Sequence, residues 1–165
     1  MKLNLGSGQS PFTDEGWTNV DLYADADLKA DMLDLPYEDG TVEEIHCSHA
    51  LEHLAGAEIL PALREWLRVL QPGGKLTVVV PNMDFMAAVW LHAGDRAYAH
   101  AIIFGNQAHE GEFHKSGWRP GDMNGDLVGA GFAVDQVVVQ WTPNYNQESI
   151  VAVAHKPEMT GIPNS

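Results

Sequence analysis

Cysteine is nearly absent from this 165-residue chain: Cys47 stands alone, so no internal disulfide can form, and the usage suits a reducing, cytoplasmic setting. Basic residues are scarce. Nine Lys and Arg face 23 Asp and Glu, for a net charge of −14. A polyanionic partner needs a basic footprint, so nucleic acid is excluded as the expected partner. The deficit is uneven, since residues 1–60 hold 13 acids against Lys2 and Lys29. That half reads as a solvated acidic face that would also favour a cationic ligand. Long apolar runs are lacking, and none approaches the ~20 residues of a membrane span. The first residues carry one lysine and no apolar stretch, so neither a membrane association nor a signal peptide is expected.

What is present begins at once. Leu3 and Leu5 alternate with Lys2 and Asn4, the period of a short strand, and Gly6-Ser7-Gly8 ends it. Two glycines one residue apart make a turn against which a ligand can lie on bare backbone. The third glycine of the dinucleotide fingerprint is missing, with Ser10-Pro11 near its place. Residues 17–22 read as a second strand carrying Asp21 near its carboxyl end, where an acid can accept from ribose hydroxyls. Only 13 positions separate Gly8 from Asp21, against about 20 for the usual crossover. The first helix must therefore be very short or absent, and residues 9–16 read as a loop.

Further along, residues 28–32 are expected as a short third strand, and residues 42–48 as a strand with Val42, Ile45 and Cys47 inward. The clearest helix is 58–70, where Ile59, Leu63, Trp66, Leu67 and Leu70 make one apolar stripe, with Pro61 in the first turn. Gln71-Pro72-Gly73-Gly74 stops it, and residues 75–81 follow as a buried strand. Residues 83–92, 96–104 and 122–131 can be helical. Residues 105–120 lack periodicity, a length of irregular chain that hints at function. Residues 132–140 and 149–154 should pair antiparallel, because the connection is too short for a crossover helix. The expectation is one domain, 1–158, followed by a flexible tail, 159–165. Its architecture is α/β: a doubly wound, mostly parallel sheet with helices on both faces and an antiparallel closing hairpin. Ligands in such sheets bind outside the carboxyl ends of the strands, where Gly6, Gly8, Asp21, Asp31, Ser48 and His49 all fall.

The series 3–8 (LNLGSG), 19–22 (NVDL), 31–36, 48–53 (SHALEH) and 67–74 (LRVLQPGG) resembles the class I S-adenosylmethionine-dependent methyltransferases. It is closest to the small, type 11-like predicted methyltransferases, and residues 109–118 resemble a compact subgroup of them. The resemblance implies a Rossmann-like methyltransferase fold and S-adenosylmethionine as cofactor. It implies that Gly6, Ser7 and Gly8 face the methionine part, that Asp21 with Leu22 holds the ribose, that Asp31 with the Met32 backbone meets the adenine edge, and that Ser48 closes the methionine end. Asn4 stands where many relatives carry an acid and is included among the cofactor residues; an amide supplies no charge to offset the cofactor's cation.

Methyl transfer needs alignment, a dry site and a base where the acceptor is a hydroxyl. Histidine suits that base. His53 and His114 are the leading candidates, with His49 third. His49-Ala50-Leu51-Glu52-His53 also matches His-x-x-Glu-His, but that hydrolase pattern requires a helix and this run straddles a strand end. It further resembles the Glu-x-x-Glu-His metal site of some methyltransferases, with His49 in place of the first Glu and one more ligand from His109 or His114. The reading adopted assigns no metal. The expected function is methyl transfer to a small-molecule acceptor, with a hydroxyl as the expected acceptor group. The alternative is a non-catalytic cofactor-binding or partner subunit that keeps the fold. A nicotinamide dehydrogenase is disfavoured by the missing third glycine and the lack of a hydride-transfer pair.

Overall fold

The computed structural model describes residues 1–92 and 94–158; the expected tail at 159–165 lies outside the described residues. Six strands form one sheet: β1 (Lys2–Leu5), β2 (Trp17–Val20), β3 (Val42–Ser48), β4 (Leu70–Pro81), β5 (Ala133–Thr142) and β6 (Gln147–His155), in the spatial order β2-β1-β3-β4-β6-β5. The first four run parallel. β6 is antiparallel to both β4 and β5, which is the closing hairpin. Helices α1 (Gly56–Val69), α2 (Met83–His92), α3 (Arg96–Phe104) and α4 (Pro120–Ala130) complete the chain. This is the mixed sheet of the Rossmann-like methyltransferase fold.

Strand alternation divides the sheet into two unlike faces. The register puts Leu3 beside Ile45, Ile45 beside Leu76, and Leu76 beside Ala154. All four are fully buried. They form the core with Trp66, Leu63, Met123 and Leu127, so α1 and α4 cover this face. The opposite face carries Asn4, His46 and Thr77 in register. The crossovers that precede β2 and β3 contain no helix. The first crossover is thus the loop expected from residues 9–16.

In place of a first helix, the 9–16 loop is pinned to the second face by a polar network. Asn4 Nδ2 donates to Asn19 Oδ1 at 2.9 Å, Phe12 N–H donates to the same oxygen at 2.8 Å, and Asn19 Nδ2 donates to Phe12 O and to Asp27 Oδ2, both at 2.9 Å. The Phe12 ring then packs edge-on against Trp17 and tilted over His46.

Three local expectations are corrected. Residues 28–32 form no strand: Leu28 makes a single bridge to Val20, and the segment turns away to pack on α1. Trp66 Nε1 holds it by donating to Met32 O at 2.9 Å, and the Arg68 guanidinium donates to Leu35 O and Tyr37 O. Second, α1 begins at Gly56, where the Glu58 carboxylate accepts from Ala55 N–H at 2.7 Å. Pro61 thus falls in the second turn, where the bond that would reach the Ala57 carbonyl is forfeited. Third, the Pro72-Gly73-Gly74 stretch belongs to β4 as an irregular excursion. Pairing with β3 lapses between Val42↔Leu70 and Glu44↔Lys75.

Candidate functional site

A cavity of about 1020 Å³ opens at the carboxyl ends of β1, β2 and β3. It is the place that strand order dictates in a parallel sheet. Two walls face each other across it.

The first wall is made by turns. β1 ends in Gly6 and Gly8 at φ +62° and +48°, a left-handed conformation natural to glycine. A Cβ at Gly6 would stand 2.2 Å from the Ala50 Cβ, so this turn lies hard against the other wall. A Cβ at Gly8 would meet nothing nearer than 4.0 Å, and the backbone there faces open space. Asp21 organises the wall. Its Oδ2 accepts from Gly8 N–H at 2.9 Å, and its Oδ1 accepts from Tyr23 and Ala24 N–H at 2.8 and 2.7 Å. Three backbone bonds leave a carboxylate with one further acceptor position, so Asp21 holds the turn and can still receive a ligand hydroxyl. Leu22 and Asp31 line the same wall, both exposed. The Met32 carbonyl is taken by Trp66, which leaves its N–H as the backbone group it can offer. Ser7 is buried and its hydroxyl has no protein partner; across the cavity, Gln147 Oε1 is in the same state. Buried polar atoms without partners are costly and mark where a ligand would satisfy them.

Asn4 does not belong to this site. Its amide is spent on Asn19 Oδ1 and, at 3.3 Å, on Ser10 O, and it does not line the cavity. The physical reason is the pleat: Asn4 points to the helix-free face, beneath the 9–16 loop.

The second wall is made by side chains. Past Ser48, the chain takes a left-handed step at His49, φ +51°, and then a single 3₁₀ turn, Leu51–His53. This turn buries Glu52, 1% exposed, with neither carboxylate oxygen hydrogen-bonded. His49 Nδ1 comes within 3.4 Å of Glu52 Oε1, an ion-pair distance without hydrogen-bond geometry. Burial pushes the Glu52 carboxyl upward, but His49, His53 and His114 together hold it below its usual range. Burial pushes His114 down more than Glu52 lifts it.

The histidines differ sharply. His53 Nδ1 lies 3.1 Å from Phe113 O, and His114 Nδ1 lies 3.1 Å from Ile102 O. A carbonyl only accepts, so each Nδ1 carries a proton, and in the neutral ring Nε2 keeps a lone pair. The two rings stand 5.1 Å apart. His49 is corrected as a candidate base. Its ring stacks on Tyr145 at 3.7 Å, its Nε2 faces Ser149 Oγ at 3.2 Å, and its Nδ1 faces Glu52. Both its nitrogens thus face protein partners. His109 also stands apart, contacting Tyr23, Glu112 and Gly111 N–H.

The irregular stretch expected to fold over the site is already fixed there. His114 N–H donates to Phe104 O, Lys115 and Ser116 N–H donate to Glu52 O at 2.8 and 3.2 Å, and Ser116 Oγ donates to Leu54 O. Sequence reasoning missed Glu52 as an unpaired buried carboxylate and missed Gln147 entirely. Residue spacing carries no signal for either, because burial is decided by segments more than 60 positions apart.

Residues 9–78 match the family described as Methyltransferase domain. An uncharacterised protein of Methanocaldococcus jannaschii is 44% identical over 55 residues, which are 33% of this chain and 23% of that protein; the chain thus aligns with about a quarter of that relative's length. Among solved structures, a methyltransferase of Methanosarcina mazei, described as S-adenosylmethionine-dependent, superposes with a TM-score of 0.67 at 17% identity, covering 95% of this chain and 92% of that one. The Burkholderia thailandensis 1,6-didemethyltoxoflavin-N1-methyltransferase, solved with its substrate and S-adenosylhomocysteine, gives 0.69 at 14% identity, covering 95% and 71%. Those likenesses show the Rossmann-like methyltransferase fold, and residues 9–78 are similar in sequence to a methyltransferase domain.

Proposed function

We propose that this protein transfers a methyl group from S-adenosylmethionine to a hydroxyl of a small acceptor, within one domain spanning residues 1–158. The observation that supports it is the pairing of the two walls in one cavity. On one side, Gly8, Asp21 and the Met32 N–H offer backbone and a carboxylate to a nucleoside; opposite, His53 and His114 each present a ring nitrogen that is not spent on a backbone carbonyl. Ser7 Oγ and Gln147 Oε1 are free to meet the amino-acid end of the cofactor. The acidic lining, with Asp21, Asp31 and Glu52, suits a sulfonium.

The reaction is a direct displacement. The chain's share is to hold donor and acceptor in line, to exclude water, and to relieve the acceptor oxygen of its proton at the histidine wall. Titration calorimetry with S-adenosylmethionine, S-adenosylhomocysteine and NADH tests the cofactor, with binding of the first two and not the third expected. A panel of hydroxylated sugars and phenols, read by S-adenosylhomocysteine release, then tests the acceptor.

A second reading has a specific observation behind it. The first crossover lacks a helix, and Asn4 is locked in the network that replaces it, so part of the usual cofactor wall is absent. A non-catalytic binding subunit would bind S-adenosylhomocysteine yet release none with any acceptor on the panel.

A further inference from the structure

One atom of each of Glu52, His53 and His114 lies within 4.8 Å of the other two. Distance alone would carry little, but the bonding around the cluster carries more. Both histidines give their Nδ1 proton to a backbone carbonyl, of Phe113 and of Ile102. That is the outer bonding by which proteins fix an imidazole so that Nε2 can serve as a metal ligand. Glu52 is 1% exposed with both oxygens unpartnered. A carboxylate with no hydrogen-bond partner and two imidazoles anchored through Nδ1 therefore sit together. A buried ionised carboxylate in that condition calls for a cation. The surrounding bonds support the arrangement: Thr142 Oγ1 donates to Ser149 Oγ, Ser149 Oγ can then donate to His49 Nε2, and His49 Nδ1–H faces Glu52.

We propose that Glu52, His53 and His114 form a binding site for a divalent transition-metal ion, with its remaining position open to the cavity. Two imidazoles and one carboxylate suit zinc, iron(II), cobalt(II) or manganese(II), and exclude a preference for calcium or magnesium. His49 is the positioning residue behind Glu52 rather than a ligand, and His109 plays no part. This set differs from the one the sequence alone suggests, His49, Glu52 and His53 with one more ligand from His109 or His114.

The site's role in the reaction, unlike its existence, rests on the proposed methyl transfer. With the ion bound, His53 and His114 would be ligands and no longer the base, and an acceptor hydroxyl on the open position would instead lose its proton to water more readily. The oxygen lone pair would then form the O–CH₃ bond as the S–CH₃ bond breaks, its electron pair remaining on sulfur. A hydroxyl acceptor fits this arrangement, since a metal gathers a lone pair and not an apolar carbon.

Metal binding is measurable without cofactor or acceptor. The chelator-stripped, tag-free full chain is titrated with Co²⁺ and followed by its visible d–d absorption, and with Zn²⁺ by calorimetry. One ion per chain, with a tetrahedral Co²⁺ spectrum, is expected. His114→Asn and Glu52→Gln should each weaken it by about 100-fold or more, whereas His155→Asn, at the surface pair with Asp135, should leave it unchanged. Circular dichroism confirms folding, and His53→Asn replaces Glu52→Gln if the latter does not fold. No stoichiometric binding, or equal affinity in the His53→Asn/His114→Asn double variant, overturns the site. Binding of S-adenosylmethionine in EDTA separates the two ideas: its loss along with retained Co²⁺ binding would sink the proposed function alone.

Discussion

The two walls of the cavity are built in opposite ways. The wall from Gly6 to Met32 is nearly all backbone: two glycines, three N–H groups gathered by Asp21, and a carbonyl claimed by Trp66. Its parts are close in sequence. The wall from Ser48 to His53 is made of side chains, and each is fixed by a residue far away: His53 by Phe113, His49 by Ser149, Glu52 by lying under residues 115–116. A backbone wall suits a ligand common to many enzymes, because main-chain groups change little when side chains vary. A side-chain wall suits the part of the reaction that differs from one enzyme to the next, and it can be retuned by single substitutions.

The largest expected effect comes where the walls touch. Gly6→Ala forces a Cβ to 2.2 Å from Ala50 at φ +62°, so it combines a core clash with left-handed strain, about 2–5 kcal/mol together. Thermal unfolding should show a fall in Tm of roughly 5–15 °C. A variant as stable as the parent would mean the walls are not in contact.

Next is Asp21→Ala. It removes the carboxylate proposed to hold the ribose and frees three backbone N–H groups, so cofactor affinity should fall by about 1.5–3 kcal/mol in calorimetry. Unchanged affinity in the folded variant would remove the ribose from this wall.

Asn4→Ala sharpens the contrast from outside the cavity. It breaks the bond to Asn19 and should cost about 1–2 kcal/mol of stability. Affinity per folded molecule should stay within a few fold, since the amide faces the other side of the sheet. A selective loss of binding would return Asn4 to the site.

The smallest effect concerns Asp27, whose carboxylate is held below its ordinary 3.8 by bonds from the Asn19 backbone and then its side chain. A lowered folded-state value means its stabilisation is complete above 3.8 and lost as pH falls through the lower folded value. Asp27→Asn should therefore flatten a small part of the Tm decline below pH 4 and leave Tm near neutrality almost as sensitive to Asn4→Ala as before.

Local chemistry was enough to place the strand ends, the helix-free crossover and the closing hairpin. Each rests on neighbours in the chain: alternation in 2–5, Pro11 and Gly16 in the loop, and the short Thr142–Asn146 connection that leaves no room for a crossover helix. Asp21 and Gly8 were legible for the same reason, since a strand must end before a ligand can lie on it. Asn4 was misplaced because the pleat, set by pairing with β3, decides which face a strand residue takes. The bend of 28–32 off the sheet was decided by Trp66, over 30 positions away.

The sequence by itself determined that His53 and His114 were the residues to watch, because their chemistry suits a proton or a metal. Only the tertiary structure decided that Glu52 is buried, that His49 packs against Tyr145 and Ser149, and that Glu52, His53 and His114 come together. Burial and convergence are properties of chain segments brought together by packing, and no spacing along the chain encodes where a lone pair will aim.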